Sequence, residues 1–171
     1  MLKGENIHLR ALEPSDLDLL YNWENDSSIW KVSQTIAPFS KHTLSQYLES
    51  SNQDLFIAKQ LRLMIEKDGI PIGTVELFDY DPLNSRAGLG IWIVKESERR
   101  KGYAREALTL MVEYAFFQLK LNQLYCNISS QNKGSINLFS SLDFILVGVK
   151  KKWNKTPEGW EDELLFQILC D

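Results

Sequence analysis

Residues 88–105 read Gly-Leu-Gly-Ile-Trp-Ile-Val-Lys-Glu-Ser-Glu-Arg-Arg-Lys-Gly-Tyr-Ala-Arg, and this stretch decides the fold. Its beginning, residues 88–94, is an apolar run of the kind found in buried strands. From residue 104 onward, apolar side chains recur every three or four positions as far as Leu119, which predicts one apolar face of a helix. A further strand is predicted at Gln123–Ser129. Two strands joined through a helix form a parallel crossover, so residues 88–129 predict an α/β protein.

The rest of the chain adds strands and helices on both sides of this crossover. Strands are predicted at residues 6–12, 61–66, 72–77, 145–153 and 160–169, and helices at residues 14–23, 40–49 and 135–142. The pair Asp68-Gly69 is a strong hairpin signal. Residues 25–38 carry turn residues, which predicts an irregular segment that faces a ligand. The order of elements predicts a mixed α/β sheet.

Composition narrows the class of protein. The chain has 171 residues and shows no internal repeat, linker or low-complexity tract, so we expect one domain spanning residues 1–171. A net charge of −4 argues against a nucleic-acid partner, which needs a basic face. No apolar run is long enough to cross a membrane, and the first residues lack the pattern of a signal peptide. Cys126 and Cys170 are isolated, so we expect free thiols in a reducing cytoplasm and no metal site.

The basic turn between the predicted strand and helix carries the chemistry. Gly102 allows the backbone to turn tightly and to approach a ligand closely. The first amides of a helix lack partners within the helix, and the helix dipole attracts anions there. This pattern favours a pyrophosphate, although a solvated basic turn that caps a helix has the same composition. The patterns of a nucleotide P-loop and of a dinucleotide-binding fold are absent. The candidate anion-binding residues are Arg99, Arg100, Lys101, Gly102, Tyr103, Ala104 and Arg105.

Three ordered motifs resemble one family. Arg99-x-x-Gly102-x-Ala104 resembles the [Gln/Arg]-x-x-Gly-x-[Gly/Ala] signature of GNAT acetyltransferases, whose loop amides bind the coenzyme A pyrophosphate. Residues 132–144 resemble the Asn-x-x-[Ala/Ser]-x-x-Leu-Tyr-x-x-x-Gly-Phe block of that family, and residues 10–17 resemble its N-terminal start. The likeness covers almost the whole chain. It is strongest to the branch that contains ribosomal-protein N-terminal and spermidine N-acetyltransferases.

The resemblance implies a fold and an activity. The fold is a GNAT-type sheet, mixed and mainly antiparallel, with a central parallel strand–helix–strand unit flanked by helices. The activity is transfer of an acetyl group from acetyl-CoA, the co-substrate, to a primary amine by direct attack in a ternary complex without a metal. A polyamine, an aminoglycoside-like amine and a protein N-terminus all remain open as acceptors. A homodimer is compatible with this branch. The alternative is a non-catalytic acyl-CoA-binding module of the same fold.

The resemblance also assigns roles around the coenzyme. A backbone amide of the strand at Ile91, Trp92 and Ile93 is expected to stabilise the developing oxyanion. Asn132 is expected to cap the short helix or to bond the coenzyme, and Phe139 is expected to pack against the pantetheine of the coenzyme. Phe139 stands where much of the family has a tyrosine that protonates the departing thiolate, and phenylalanine cannot donate a proton.

Two catalytic roles have more than one candidate: the acid that replaces the missing tyrosine, and the general base. Ser135, one helical turn before position 139, or water is a substitute acid, although an ordinary helix-start role for this serine is equally compatible with the sequence. Asp143 replaces the family's glycine and tolerates a left-handed backbone. The predicted general base is Glu76, which is alternatively a solvent-facing strand residue, with Glu13, Glu24 and Asp79 as other candidates. The expected acceptor-binding residues are Trp23, Asp26, Trp30, Glu76 and Tyr80.

Overall fold

One mixed sheet organises the protein. The computed structural model describes residues 1–28, 30, 35–51 and 53–170. Within them the strands are β1 (Leu2–Lys3), β2 (His8–Ala11), β3 (Leu61–Lys67), β4 (Ile70–Asp81), β5 (Arg86–Ile93), β6 (Gln123–Ser129), β7 (Ile145–Thr156) and β8 (Gly159–Leu169). They lie in the order β1-β2-β3-β4-β5-β6-β8-β7. The β5–β6 pair is parallel, and the other neighbouring pairs are antiparallel. The sheet class expected from the sequence is confirmed.

The helices cover both faces of this sheet. They are α1 (Leu17–Glu24), α2 (Lys41–Ser50), α3 (Leu55–Ala58), α4 (Tyr103–Glu113) and α5 (Lys133–Ser140). Side chains cap the starts of three helices: the Ser40 hydroxyl accepts the Thr43 amide at 3.0 Å, the Asp54 carboxylate accepts the Phe56 amide at 2.7 Å, and the Asn132 side-chain oxygen accepts the Ser135 amide at 3.1 Å. None of the helices among the described residues is long and apolar enough to cross a membrane.

Most predicted elements are confirmed, and the structure differs from the prediction at three elements. Strand β1 and helix α3 were not predicted, because two and four residues are too few to show a period. The predicted helix over residues 104–119 leaves α-helical geometry after Glu113 and continues as a π-helix over Tyr114–Gln118. Of the predicted irregular segment 25–38, residues 29 and 31–34 lie outside the described part of the chain.

The two faces of the sheet are covered differently. The face under α4 and α5, the α4/α5 face, holds the larger apolar cluster, with Leu77 and Leu89 from the sheet and Leu108 and Met111 from α4 all essentially inaccessible. The opposite face, the α1/α2 face, holds a smaller cluster that consists of Leu12, Leu20, Trp23, Leu48 and Met64. The α1/α2 face therefore has room for polar side chains.

The predicted hairpin between β3 and β4 is confirmed at Asp68-Gly69. Both residues have positive φ, at 51° and 75°. Two consecutive left-handed residues form the turn that matches the twist of paired antiparallel strands.

Candidate active site

Strands β5 and β6 separate within the middle of the sheet. They pair at only three positions, Arg86 with Gln123, Ala87 with Leu124, and Gly88 with Tyr125. Strand β5 then continues to Ile93 and β6 to Ser129 with no further pairing to each other within the described residues. We call the opening between these diverging strands the fork. A slender ligand can enter the sheet there.

The edge of β5 that lines the fork presents backbone amides. The Val94 amide donates to the Ile72 carbonyl at 2.9 Å, so residue 94 points its amide toward β4. Amides alternate between the two edges along a strand. The amides of Ile91 and Ile93 therefore point into the fork and are available donors, whereas the Trp92 amide points toward β4.

Two glycines leave a bare strip on the α1/α2 face beside the fork. A Cβ on Gly88 would lie 2.2 Å from the Phe78 ring, and a Cβ on Gly90 would lie 3.3 Å from the Glu76 side chain. Phe78 and Glu76 thus lie over the positions where side chains are missing. The Glu76 carboxylate is consequently brought close to the fork at the level of Gly90, its partner across β4 and β5.

Aromatic rings close this strip at both ends. The Trp23 and Trp92 rings meet edge to face with centroids 6.1 Å apart. At the other end, the Phe78 and Tyr125 rings meet edge to face with centroids 5.9 Å apart. Aromatic faces beside a carboxylate form an environment that suits a cationic amine.

Glu76 is held by a polar group on the same face. The Gln60 side-chain amide donates to the Glu76 carboxylate at 2.8 Å. Arg62 contacts the Glu24 carboxylate at 2.6 Å. Burial lowers the pKa of Arg62, but the carboxylates of Glu24 and Glu76 outweigh burial and raise it. Arg62 therefore stays charged between two acids.

A polar cavity of about 240 Å³ opens beside this group. Tyr47, Ser50, Gln60 and Arg62 are among the residues that line it. The buried Arg62 Nε atom has no hydrogen-bond partner among the described residues. The cavity and the bare strip are adjacent, because Gln60 and Arg62 line the cavity and also lie next to Glu76. Gln60 donates a hydrogen bond to Glu76, and Arg62 interacts with its charge.

Tyr125 and Asp79 form a second polar contact at the base of the fork. The Tyr125 hydroxyl donates to the Asp79 carboxylate at 3.2 Å. Burial raises the pKa of the Tyr125 phenol, and the nearby Asp79 carboxylate raises it further. The phenol is therefore neutral at physiological pH.

The basic turn has the backbone geometry that an anion site requires. Gly102 is the residue before α4 and has φ 91°, with no atom within 4 Å of an added Cβ, so glycine is needed there for its conformation alone. No side chain caps the α4 N-terminus among the described residues. Glu106 in the first turn instead accepts the Asn6 and Ile7 amides at 2.8 and 3.2 Å. The first amides of α4 are thus open to an anion.

The cations of this turn divide into two groups. The Arg99 guanidinium donates to the Ile93 carbonyl at 2.9 Å and so ties the turn to the end of β5. Lys101 pairs with Glu98 at 3.1 Å, and Arg105 donates to the Ser141 carbonyl at 3.3 Å. Arg100 has φ 62° and no side-chain hydrogen bond or ion pair within the described residues. Arg100 is the cation of the turn best placed to meet an added anion.

The predicted residues of α5 lie on the α4/α5 face. Phe139 is buried, and its ring meets Phe144 edge to face at 5.1 Å. Asn132 caps α5 through the Ser135 amide, so the structure gives Asn132 a capping role and Ser135 a helix-start position. Asp143 has φ 64°, which confirms the left-handed backbone expected at this position.

The predicted acceptor residues do not all meet. Trp23 and Glu76 share the α1/α2 face, whereas Tyr80 packs in the cluster of the α4/α5 face with its ring against Phe56 at 5.5 Å. Asp26 accepts the Ser28 amide at 2.9 Å in a local turn, and the Trp30 indole donates to the Glu24 carbonyl at 2.9 Å. Tyr80 is placed on the far face because a bulge after Phe78 reverses the alternation of β4.

Of the three other predicted base candidates, Asp79 accepts the Tyr125 hydroxyl, and the remaining two are engaged elsewhere. Glu13 is part of a capping box with Asp16, and Glu24 pairs with Arg62. Sequence reasoning gave no role to Gln60, Arg62 or Phe78. The alternation Gly88-x-Gly90 was the available signal, since glycines two apart in a strand leave one face bare. Within the described residues, no group of three or more His, Cys, Asp or Glu side chains is placed to hold a metal ion.

Comparisons with known proteins agree with this architecture. A family model described as an acetyltransferase (GNAT) domain matches residues 6–145. The N-acetyltransferase p20 of Bacillus licheniformis is 27% identical over 98% of this chain and 95% of its own length. The spermidine N(1)-acetyltransferase of Escherichia coli K12 is 26% identical over 86% of this chain and 77% of its own length.

A solved structure shares the fold over nearly the whole chain. The spermidine N-acetyltransferase of Vibrio cholerae, crystallised with CoA and spermine, superposes with a TM-score of 0.86 at 23% identity, covering 97% of this chain and 96% of that one. The family model spans most of the chain, and the fork, the uncapped helix and the basic turn lie within it. The chain therefore belongs to the GNAT family of acetyltransferases and is an N-acetyltransferase.

Proposed function

We propose that this enzyme transfers an acetyl group from acetyl-CoA to a primary amine that enters the bare strip on the α1/α2 face. The observation that carries the proposal is the meeting of the fork with the Glu76 carboxylate at Gly90. The fork exposes amide donors on one side, and Glu76 lies beside it with aromatic rings at both ends of the strip. An acyl donor and a basic acceptor are thereby brought to one place.

The residues present fit coenzyme A. The open amides at the α4 N-terminus suit the pyrophosphate, which is an anion. So does Arg100, which has no side-chain partner in the part of the chain that the structure describes. The amides of Ile91 and Ile93 suit an extended chain that carries amide groups of its own, because such a chain can pair with a free strand edge. When bound, the coenzyme supplies an activated thioester. One of these edge amides is the donor for the oxyanion that develops on the acetyl carbonyl.

Glu76 is the group we assign to deprotonate the amine. An ammonium ion has no lone pair and cannot attack a carbonyl, so the amine must first lose a proton. The hydrogen bond from Gln60 leaves the other carboxylate oxygen of Glu76 available for that proton. The amine then attacks directly, and no acyl-enzyme is needed.

The acceptor class follows from the strip and its surroundings. Two aromatic pairs and the acids Glu24 and Glu76 suit a cation, and Arg62 offsets one of those negative charges. The acceptors to test are therefore polyamines, aminoglycosides and peptides with a free N-terminus. A cytoplasmic location, where free thiols and acetyl-CoA coexist, is part of the same proposal.

The test is a thiol-release assay with acetyl-CoA and that panel of amines. We expect release with one acceptor class and a fall in kcat/KM of about 100-fold or more for Glu76→Gln, since positioned bases contribute roughly 10²–10⁴-fold. Glu49→Gln, an exposed carboxylate on α2, is the matched control and should keep wild-type activity. Calorimetric titration with coenzyme A should give equal affinities for all three proteins.

Two results would contradict parts of the proposal. Saturable coenzyme binding without thiol release from any amine would favour the non-catalytic acyl-CoA-binding module. Full activity of Glu76→Gln would remove Glu76 as the base while leaving the acetyl transfer intact.

We also propose that two copies pair through β7. This strand is the last in the sheet order, and Ile145, Leu146, Val147 and Val149 along it are between 43% and 61% exposed. A long apolar edge strand pairs readily with its own copy in an antiparallel, two-fold symmetric arrangement. Light scattering after size exclusion should give a dimer for the wild type and a monomer for Val147→Lys. A monomeric wild type would exclude this pairing.

A further inference from the structure

We infer that Tyr125, held by Asp79, is a second proton-handling residue of the acceptor site, which takes a proton from the reacting nitrogen and passes its own to Asp79. The inference rests on the proposed function, because it names a further role in the same reaction. It concerns a pair of side chains that lies outside the family motifs at residues 99–104 and 132–144.

The first observation is the position of Tyr125. It pairs with Gly88 at the last parallel position before the fork opens. Its ring meets Phe78 over Gly88, so the side chain lies on the α1/α2 face, the same face as Glu76. Leu124 and Cys126, its neighbours in β6, point into the opposite cluster. Tyr125 therefore forms the base of the opening beside which Glu76 lies.

The second observation is how Asp79 reaches it. Asp79 has φ 49°, the left-handed conformation, and lies in the bulge of β4 between Phe78 and Asp81. Without the bulge, residue 79 would point its side chain away from Phe78, because alternate residues face opposite sides of a sheet. The bulge brings the Asp79 carboxylate to 3.2 Å from the Tyr125 hydroxyl. Bulges of this kind often aim side chains at active sites.

The third observation concerns the route to solvent. Glu76 is half-buried and hydrogen-bonded to Gln60, whereas Asp79 is exposed. Arg86 also lies near Tyr125, and it binds the Asp81 carboxylate at 3.2 Å. A proton that arrives on Asp79 thus has direct access to water.

The chemistry needs two proton acceptors. An ammonium acceptor loses one proton before attack, which we assign to Glu76, and a second as the new C–N bond forms and the C–S bond breaks. In the second step an N–H bond breaks and an O–H bond forms on the Tyr125 oxygen, while the phenolic proton moves to the Asp79 carboxylate. The thiolate leaves with the electron pair of the C–S bond and takes a proton from water. Asp79 then returns its proton to solvent, and no oxidant or reductant is required.

The geometry of the phenol suits this relay. Its hydrogen is committed to Asp79, so a lone pair of the same oxygen is free to accept a hydrogen bond from an amine. Phe139 cannot play this part, because it has no polar atom and is buried among apolar side chains on the other face.

The test compares Tyr125→Phe and Asp79→Asn with the wild type in the thiol-release assay. Tyr125→Phe keeps the ring contact with Phe78 and removes only the hydroxyl. We expect kcat to fall by about 100-fold in each variant, with KM for acetyl-CoA unchanged. The double variant should be no slower than the slower single one, because residues that act in one relay are not additive. Tyr114→Phe, in the π-helix away from the fork, is the control and should retain wild-type kcat.

A second measurement needs no turnover. Tyrosinate absorbance is titrated in the free protein, and the Tyr125 contribution is obtained by subtracting the curve of Tyr125→Phe. We expect Asp79→Asn to lower the pKa of Tyr125, since the Asp79 carboxylate raises it. An unchanged pKa would show that the two groups do not interact in solution and would overturn the inference.

The kinetic outcomes separate this inference from the proposed function. If Glu76→Gln is impaired but Tyr125→Phe stays within twofold of wild-type kcat, the relay is overturned and the acetyl transfer stands. A rise in acceptor KM with unchanged kcat would also overturn it, because that pattern reports binding alone. If the wild type releases no thiol, the proposed function fails and the relay with it.

Discussion

The α4/α5 face and the α1/α2 face of the sheet share the same strands but have opposite compositions. On the α4/α5 face, Leu77 and Leu89 pack against Leu108 and Met111 in a continuous apolar cluster. On the α1/α2 face the same two strands carry Glu76 and two bare glycines. Alternation along a strand allows this division, since neighbouring residues face opposite sides.

The difference shows where this fold obtains stability and where it places chemistry. Burial of apolar area stabilises at roughly 25 cal/mol per Å², so the larger cluster contributes most of the stability. The smaller cluster leaves space in which Arg62, Glu24 and Glu76 can interact. The comparison predicts that substitutions on one face change the free energy of unfolding and those on the other change turnover.

The largest expected effect is on the α4/α5 face. Leu108→Ala removes a fully buried side chain and should lower the free energy of unfolding by about 2–5 kcal/mol, because it leaves a cavity in a packed core. Urea unfolding measures the loss. Leu83→Ala, at a position 89% exposed, should change it by less than about 0.5 kcal/mol. If the folded fraction of Leu108→Ala also lost turnover, the division between the faces would be wrong.

Next in size is a change to the bare strip. Gly88→Ala places a methyl group 2.2 Å from the Phe78 ring, so the ring must move away from Tyr125. Overpacking of this kind costs about 1–3 kcal/mol, and we also expect lower kcat. The double variant Gly88→Ala, Phe78→Ala makes room for the methyl group and should recover part of the lost stability. Wild-type stability for Gly88→Ala alone would show that the strip is not tightly packed.

A smaller effect is expected where the basic turn meets α4. Gly102 has φ 91°, and a side chain in this region costs about 1–2 kcal/mol. Gly102→Ala should therefore lower stability by that amount and weaken coenzyme A binding, as measured by calorimetry. Gly134→Ala is the matched control, since Gly134 lies within α5 and its φ is not positive. There alanine should stabilise by about 0.5–1 kcal/mol. Equal effects at the two glycines would contradict the role of backbone conformation.

The smallest effect concerns pH. Burial raises the pKa of Asp16, but hydrogen bonds from Arg10 and from the Glu13 amide outweigh burial and lower it below its ordinary value of 3.8. A lowered pKa in the folded state stabilises above the unfolded pKa, and this stability is lost as pH falls through the folded one. The free energy of unfolding should thus decrease as pH falls below about 4. We expect a loss of about 1 kcal/mol or less, because solvent screens an ion pair whose Arg10 side chain is partly exposed.

Acid titration of stability checks this. Asp16→Asn should be less stable than the wild type at pH 7, and the difference between the two should shrink as pH falls below 4. A constant difference across this range would show that the Asp16 carboxylate is not the group that titrates.

The sequence predicted the α4/α5 face better than the α1/α2 face. The helical period from Ala104 to Leu119 and the apolar run at residues 88–94 report burial directly. The strand was confirmed, and the helix was confirmed as far as Glu113, where it continues as a π-helix. The basic turn was also readable, because Gly102 and its neighbours are adjacent in sequence. The sequence does not show which cations of the turn bind other protein groups, since nothing in it indicates that Arg99 binds the Ile93 carbonyl.

The polar side of the site escaped prediction for a different reason. Gln60 and Arg62 lie far from Glu76 along the chain and approach it only after β3 and β4 take their places in the sheet. Asp79 was a candidate base, but its contact with Tyr125 depends on the position of β6. The position of Tyr80 depends on the bulge of β4, which shifts the alternation of side chains. The bulge of β4 therefore leaves Phe78 on the face of the site and places Tyr80 on the opposite face.

Because of the fork, some amides of the central strand β5 should exchange hydrogen as quickly as amides of an edge strand. Strand β5 lies between β4 and β6, yet its Ile91 and Ile93 amides face the opening. Amides without protein partners exchange hydrogen with solvent quickly, whereas those of Gly90 and Trp92, directed at β4, should be protected almost to the level of global unfolding. Alternate residues of one strand should thus differ in exchange rate, and coenzyme A should slow only the fast set. Hydrogen exchange along β5 is consequently a direct reporter of how completely the fork is filled.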